Sequence, residues 1–257
     1  MRKHEIYLKA YPEHISAITD TAIVYKDGTQ QAVSDGKENE KSYSEKLNTA
    51  SLLDQLSIPY IVESSHGNYM DSVKQQNYDP GRIRNIALFK KIYGNSEEEV
   101  SSNLVKIEWM PKSFQLPSSL LVTKVNNVSE KLKNISVELD DLPDEFKDYL
   151  KDPGGTFNWR VIEGTDRASA HSFGMTVDIN VEHSNYWLWD YKKNNPGNDA
   201  IKEEDIDPDK FPIYQNKIPI EIVKIFEKYH FIWGGKWYHY DTMHFEYRPE
   251  LFPEHLL

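Results

Sequence analysis

Two short stretches of the chain combine histidine and acidic residues at spacings that suit metal chemistry. In the first, HSFGMTVDIN, His171 precedes Asp178 by seven positions, and the second, DTMHFEY, contains Asp241, His244 and Glu246. The chain has no cysteine, and zinc sites without cysteine use imidazole nitrogens and carboxylate oxygens. The two stretches are therefore candidates for the two halves of one zinc site.

The first stretch has the alternation of a half-buried β-strand. Its apolar side chains recur at every second position, at Met175, Val177 and Ile179. Because successive side chains of a strand point to opposite faces, Asp178 is expected on the face away from the core. Gly174 allows the backbone to bend before the strand, so His171 can fold back beside Asp178.

In the second stretch, His244 and Glu246 share one face of a predicted strand, and two aromatic residues share the other. His244 is the expected third ligand, and three protein ligands leave a fourth position for water, as in catalytic zinc sites. Asp241 is near enough to take a proton from that water, and Glu246 is placed to support a ligand histidine. A histidine on a strand is more often a packed residue, so the pattern alone leaves ordinary packing open.

Composition limits the other classes of function. The 257 residues carry a formal net charge of −11 without a dense lysine and arginine cluster, so no nucleic-acid partner is expected. The chain has no apolar run of about 18 residues, so no transmembrane segment is predicted, and no export signal is recognisable at its start. The length suits one large domain, or one domain with an accessory lobe.

Local signals predict several elements around the two stretches. Asp27 and Gly28 lie between two apolar runs and predict a β-hairpin over residues 21–33. The spacing of apolar residues predicts a helix over residues 122–139, and a second helix is predicted to begin at Pro219.

Two polar segments are expected to form loops. Residues 35–48 are rich in charge, and residues 181–218 form an Asn- and Asp-rich segment that is long enough to border a binding site. His239, two residues before Asp241, is expected to have a surface or supporting role.

The chain resembles the zinc D-alanyl-D-alanine carboxypeptidase family in two segments, FNWRVIEGTDRASAHSFGMTVDIN and FIWGGKWYHYDTMHFEYRPEL. That family also contains phage endolysins that cut the L-alanyl-D-glutamate bond of peptidoglycan, and the GG-W and D-x-x-H-F-E signatures are most similar to this branch. The resemblance implies an α+β fold of the hedgehog and DD-peptidase type, in which helices flank a small antiparallel sheet that carries the zinc. It further implies an N-terminal extension over residues 1–115, packed on a catalytic domain over residues 116–257.

The resemblance also implies a role for each matching residue. His171, Asp178 and His244 are implied as the ligands of Zn²⁺. Asp241 is implied as the general base, at a position where many carboxypeptidases of the family carry glutamate.

Three further residues receive expected roles from the same motifs. Arg160 or Arg167 resembles the arginine that steadies the substrate carbonyl or carboxylate, a task that suits a planar guanidinium. Ser169 is expected in the substrate-binding part of the site, with a hydrogen bond that holds the loop.

These observations predict a monomeric zinc peptidase that hydrolyses an amide bond in peptidoglycan stem peptides, as a carboxypeptidase or an endopeptidase. The expected location is the cell envelope, the periplasm or the extracellular space, with an export signal outside this chain, and a cytoplasmic location stays open. Two alternatives remain: a non-catalytic zinc-bearing binding domain of the same fold, and a peptidase that acts on other peptides.

Overall fold

The structure is a computed structural model that describes residues 2–62, 69–116, 118–162, 165–197, 201 and 203–253. Its α-helices are α1 (Ile6–Ala10), α2 (Tyr43–Thr49), α3 (Leu52–Gln55), α4 (Tyr69–Ser72), α5 (Ile86–Tyr93), α6 (Glu97–Ser101), α7 (Val128–Asp140), α8 (Trp187–Asn194) and α9 (Ile220–Lys228). Its strands are β1 (Ile15–Ile18), β2 (Ala22–Tyr25), β3 (Gln30–Ala32), β4 (Leu104–Glu108), β5 (Ser119–Thr123), β6 (Pro153–Gly155), β7 (Thr176–Asn180), β8 (Phe231–Trp233) and β9 (His244–Tyr247). Short 3-10 turns connect many of them, including Ala170–Phe173 and Gly234–Lys236.

The described strands form antiparallel sheets of three sizes. β1, β2 and β3 make a three-stranded sheet, β4 and β5 make a hairpin, and a four-stranded sheet has the order β6-β7-β9-β8. Helices pack around these small sheets, which confirms the predicted α+β class. The β2–β3 pairing also confirms the hairpin that was predicted over residues 21–33.

The four-stranded sheet presents an apolar face to the core and a polar face to the candidate site. On the apolar face, Val177 of β7 lies opposite Phe245 of β9, and the Phe245 ring stacks on Phe226 of α9 with 3.8 Å between centroids. All three side chains are fully buried. The predicted alternation of β7 and β9 is thus confirmed, and the next residue on either strand faces the opposite side of the sheet.

The N-terminal residues pack against this sheet through polar as well as apolar contacts. Tyr11, which directly follows α1, donates a hydrogen bond of 2.7 Å to Glu250, which lies just beyond β9. The division at residues 115 and 116 stays a prediction. The β4–β5 hairpin joins the two sides of that division, since β4 precedes it and β5 follows it.

The helix predicted over residues 122–139 starts six residues later than expected, as α7 at Val128. Leu120 and Val122 are buried at alternate positions of β5 and pair with β4. The first apolar residue of the predicted helix, Val122, therefore lies in a strand instead. Asn126 and Asn127 then adopt left-handed backbone angles, which separate the strand from the helix. The helix predicted at Pro219 is confirmed, because α9 begins at the next residue.

Both segments predicted as loops contain helices, so these two predictions were wrong in part. In residues 35–48, Ser42 and Glu45 form a capping box that begins α2. In residues 181–218, α8 forms because Trp187 and Leu188 bury their side chains against Tyr240. None of the helices in the described parts of the chain combines the length and the hydropathy that a membrane span requires.

Candidate metal centre

Strand register brings two of the predicted ligands together. Asp178 of β7 is the direct cross-strand partner of His244 on β9, and side chains at such positions share one face with about 4.5–5.5 Å between their Cβ atoms. His244 Nδ1 lies 3.0 Å from Asp178 Oδ1. His171 completes the group, and one ligand atom from each of these three residues lies within 4.8 Å of the others.

His171 reaches this group from the turn before β7. Ser169 caps the 3-10 turn Ala170–Phe173 by accepting a hydrogen bond from the His171 backbone N–H, and Gly174 ends the turn with a φ of +63°. The His171 Nδ1–H donates to the carbonyl of Thr156 at 2.8 Å. Because a carbonyl can only accept, Nδ1 carries a proton, and Nε2 is the ring nitrogen that faces Asp178, 3.2 Å away.

His244 is oriented in the same manner by a carboxylate. Its Nε2–H donates to Glu246 at 3.3 Å, so Nδ1 faces the other two ligands. Glu246 is fully buried and is held by Arg84, with contacts of 2.9 and 2.5 Å, and by Arg248 at 3.0 Å. Such supporting hydrogen bonds fix the ring and its tautomer in metal sites. Glu246 therefore lies where the predicted supporting role requires, and that role stays a prediction.

Two of the three clustered side chains, Asp178 and His244, have strongly shifted pKa values. Burial would raise the pKa of Asp178, but the two histidines hold it well below its usual range. Burial would lower the pKa of His244, but hydrogen bonds to Asp178 and Glu246 raise it to about 10. The Asp178 carboxylate is thus in contact with a His244 ring that readily holds a second proton. A cation bound by these residues would take the place of that proton.

Asp241 lies beside the cluster and is not one of the three converging residues. Its backbone is fixed by the Gly234 carbonyl, which accepts its N–H at 3.1 Å, and its own carbonyl accepts the His244 N–H at 3.2 Å. Its Oδ1 atom is buried and has no hydrogen-bond partner among the described residues. Burial and the negative charge of Asp178 raise the pKa of Asp241 to about 6. A buried carboxylate oxygen without a partner is available to a water or a substrate.

Gly234 permits this placement of Asp241. A Cβ atom at position 234 would lie 2.5 Å from the Asp241 carbonyl oxygen, which is a backbone atom and cannot rotate away. We expect Gly234→Ala to lower the free energy of unfolding by about 1–3 kcal/mol, as overpacking typically does, and to displace Asp241. Urea unfolding and peptide cleavage measure the two effects.

Gly28→Ala is the matched control for Gly234→Ala. Gly28 has a φ of +84°, so alanine there is strained too, but no atom lies within 4 Å of the added Cβ. Gly28→Ala should therefore lose stability, but its activity per folded molecule should equal that of the wild-type protein. Equal activity in both variants would show that Gly234 does not position Asp241.

The cluster opens into a cleft of about 290 Å³. Its walls include Arg160, Ser169 and Asp241, with Trp187, Trp189 and Trp237 as aromatic neighbours. The structure thus brings Arg160 and Ser169 to the cluster, and their predicted roles in substrate binding stay predictions.

The structure places Arg167 outside the wall of this cleft. Its Nη2 donates to Glu203 at 3.1 Å, and the same Glu203 oxygen accepts from Arg82 at 2.8 Å. Arg82 and Arg84 do line the cleft, although neither arginine was predicted as a site residue. His239 is buried rather than on the surface, and it donates from Nδ1 to Asp79 at 2.7 Å.

The comparison with protein families matches the part of the chain that contains this cluster. Residues 163–247 match the family model described as D-alanyl-D-alanine carboxypeptidase. This match confirms the resemblance predicted from the sequence, and it covers about a third of the chain, including all three clustered residues and Asp241. No curated protein and no solved structure shows a significant match. The similarity to this carboxypeptidase family is therefore limited to residues 163–247, and residues such as Arg82 and Arg84 lie outside it.

Proposed function

We propose that the protein is a zinc-dependent peptidase that hydrolyses an amide bond in peptidoglycan stem peptides. One observation carries the proposal: His171, Asp178 and His244 converge beside Asp241, whose Oδ1 has no partner among the described residues. The family match supports the peptidase class and the D-alanyl-D-alanine type of substrate.

The residues of the cluster fit a zinc ion. Two imidazole nitrogens and one carboxylate form a common catalytic donor set, and each histidine has its other ring nitrogen bonded to an acceptor. His171 Nε2, His244 Nδ1 and an Asp178 oxygen would hold the ion. Three protein ligands would leave a fourth position for water, as in catalytic zinc sites.

The chain's own residues supply the remaining chemistry. Bound zinc provides Lewis-acid polarisation of the scissile carbonyl and eases deprotonation of water. Asp241 accepts the proton of the attacking water and delivers it to the nitrogen of the leaving amine, so that one carboxylate acts first as base and then as acid. Arg160 lines the cleft, and its proposed role is to bind a carbonyl or carboxylate oxygen of the substrate.

The substrate class determines where the protein acts, and the site distinguishes the proposal from its alternatives. A wall peptidase acts at the cell envelope or outside the cell, which we propose for this protein, together with a monomeric state. A non-catalytic zinc-bearing domain would not require a carboxylate such as Asp241 in the cleft. A peptidase for other peptides would share the whole site and would differ only in the substrate that it cuts.

Digestion of purified peptidoglycan tests the proposal. We expect the zinc-loaded protein to release fragments whose masses show one cleaved amide bond in the stem, at the D-alanyl-D-alanine or the L-alanyl-D-glutamate position. Removal of the metal with a chelator should abolish release, and added zinc should restore it. Cleavage of unrelated peptides without cleavage of peptidoglycan would contradict the proposal that the substrate is the cell wall. If neither substrate is cleaved, the proposal that the protein is an enzyme would be contradicted.

A further inference from the structure

A second cavity, of about 350 Å³, lies next to the metal cleft. The two cavities share His239 as a common wall residue. The walls of the second cavity come from α2, from Asn77 and from the turn at residues 165–167, and Glu203 closes one side. α2 and Asn77 precede the family match, so half of the residues that line this cavity come from a part of the chain that the family model does not cover.

The wall between the two cavities is held together by hydrogen bonds, ring stacking and an ion pair. Asp79 accepts hydrogen bonds from both the backbone N–H of His239, at 2.8 Å, and its ring Nδ1–H. Tyr43 stacks on the His239 ring with 6.1 Å between centroids and 4° between planes. The ion pair of 2.8 Å between Glu203 and Arg82 continues the wall. The position of the second cavity relative to the metal cleft is therefore fixed by buried contacts.

The chemistry of the second cavity suits a polar peptide chain. Arg167 has five N–H donors on its guanidinium, and Glu203 is its one side-chain partner among the described residues. Asp166 is exposed and forms no ion pair among those residues, and the amides of Asn48 and Asn77 add donors and acceptors. The cavity can thus meet peptide N–H and carbonyl groups together with charged groups of either sign.

Size supports the same reading. Ligand sites usually measure about 300–1,000 Å³. The metal cleft alone, at about 290 Å³, lies just below that range, and the two cavities together lie well inside it. We infer that the second cavity is a substrate subsite, which binds the part of the stem peptide that extends beyond the residues in the metal cleft. This inference rests on the proposed function and makes the preferred substrate a peptide of several residues, not a dipeptide.

Peptide binding at two lengths tests the subsite. The probes are D-alanyl-D-alanine and a synthetic stem pentapeptide, titrated calorimetrically into the zinc-loaded Asp241→Asn variant so that neither is cut. Asn48→Trp, added to that variant, fills the cavity from the exposed side of α2. Thr49→Trp is the matched control, because position 49 is the next exposed residue of the same helix and does not line the cavity.

We expect the pentapeptide to bind about tenfold more tightly than the dipeptide, and this ratio to fall to about one in Asn48→Trp. Thr49→Trp should keep the ratio. Equal binding of the two peptides, absence of pentapeptide binding, or a ratio that Asn48→Trp leaves intact would overturn the subsite. Failure of the proposed function would show itself separately, as intact peptidoglycan in the digestion with the wild-type protein.

Discussion

Asp241→Asn is expected to lower peptide turnover by about 10²–10⁴-fold while the protein keeps its zinc and its unfolding midpoint. Asparagine keeps the size of the side chain but cannot accept the proton of the attacking water. Stability should not fall, because Asp241 Oδ1 has no hydrogen-bond partner among the described residues and so no bond there is lost. Cleavage kinetics, metal analysis and urea unfolding of the same preparation measure the three quantities.

Asp141→Asn is the matched control for that variant. Asp141 pairs with Lys112 at 3.1 Å on the exposed surface, and its replacement should leave turnover unchanged. Loss of zinc in Asp241→Asn would identify Asp241 as a ligand and require a new ligand set. Retention of both zinc and most of the activity would show that another group takes the proton.

Glu246→Gln is expected to weaken zinc binding by about 10–100-fold and to lower the free energy of unfolding by about 3–5 kcal/mol. Glutamine nearly keeps the shape but removes the negative charge that Arg84 and Arg248 share in the fully buried interior. It also weakens the acceptor that orients His244. Competition with a chromogenic chelator gives the zinc affinity, and urea unfolding gives the stability.

Glu138→Gln separates the buried network from the general effect of removing a glutamate charge. Glu138 pairs with Lys228 at 2.7 Å near the surface, where such pairs contribute about 0–1 kcal/mol. Its zinc affinity should equal that of the wild-type protein. A Glu246→Gln variant that binds zinc like the control would show that Glu246 does not orient His244.

Local pattern was sufficient to predict the strands that carry the cluster. The alternation of Met175, Val177 and Ile179 around Asp178 has only one arrangement that buries the apolar side chains, and β7 adopts it. The same reasoning placed His244 on the polar face of β9. These predictions succeeded because period and burial are properties of a few adjacent residues.

Contacts between distant segments could not be predicted in this way. The register that sets Asp178 opposite His244 depends on the pairing of strands that lie far apart in the chain. Arg84 reaches Glu246 across 162 positions, and nothing in the residues around Arg84 indicates a buried acidic partner. The same is true of Asp79 and His239, which are 160 positions apart.

The two helices that were missed within predicted loops share one cause, which is that polar composition was taken as a sign of loop. α2 forms in a charged segment because Ser42 and Glu45 satisfy its first backbone N–H groups. α8 forms because a neighbouring tyrosine, Tyr240, covers Trp187 and Leu188. The first of these signals was visible in the sequence as S-x-x-E, whereas the second depends on tertiary packing.

Zinc stoichiometry of the wild-type protein and of His244→Ala tests the central assignment most directly. Mass spectrometric metal analysis of the wild-type protein should give one zinc per chain. His244→Ala removes one of the three converging ligand atoms, and it should lose most of that zinc after dialysis while remaining folded by circular dichroism. Full zinc occupancy in folded His244→Ala would contradict the assignment of His171, Asp178 and His244 as the metal centre.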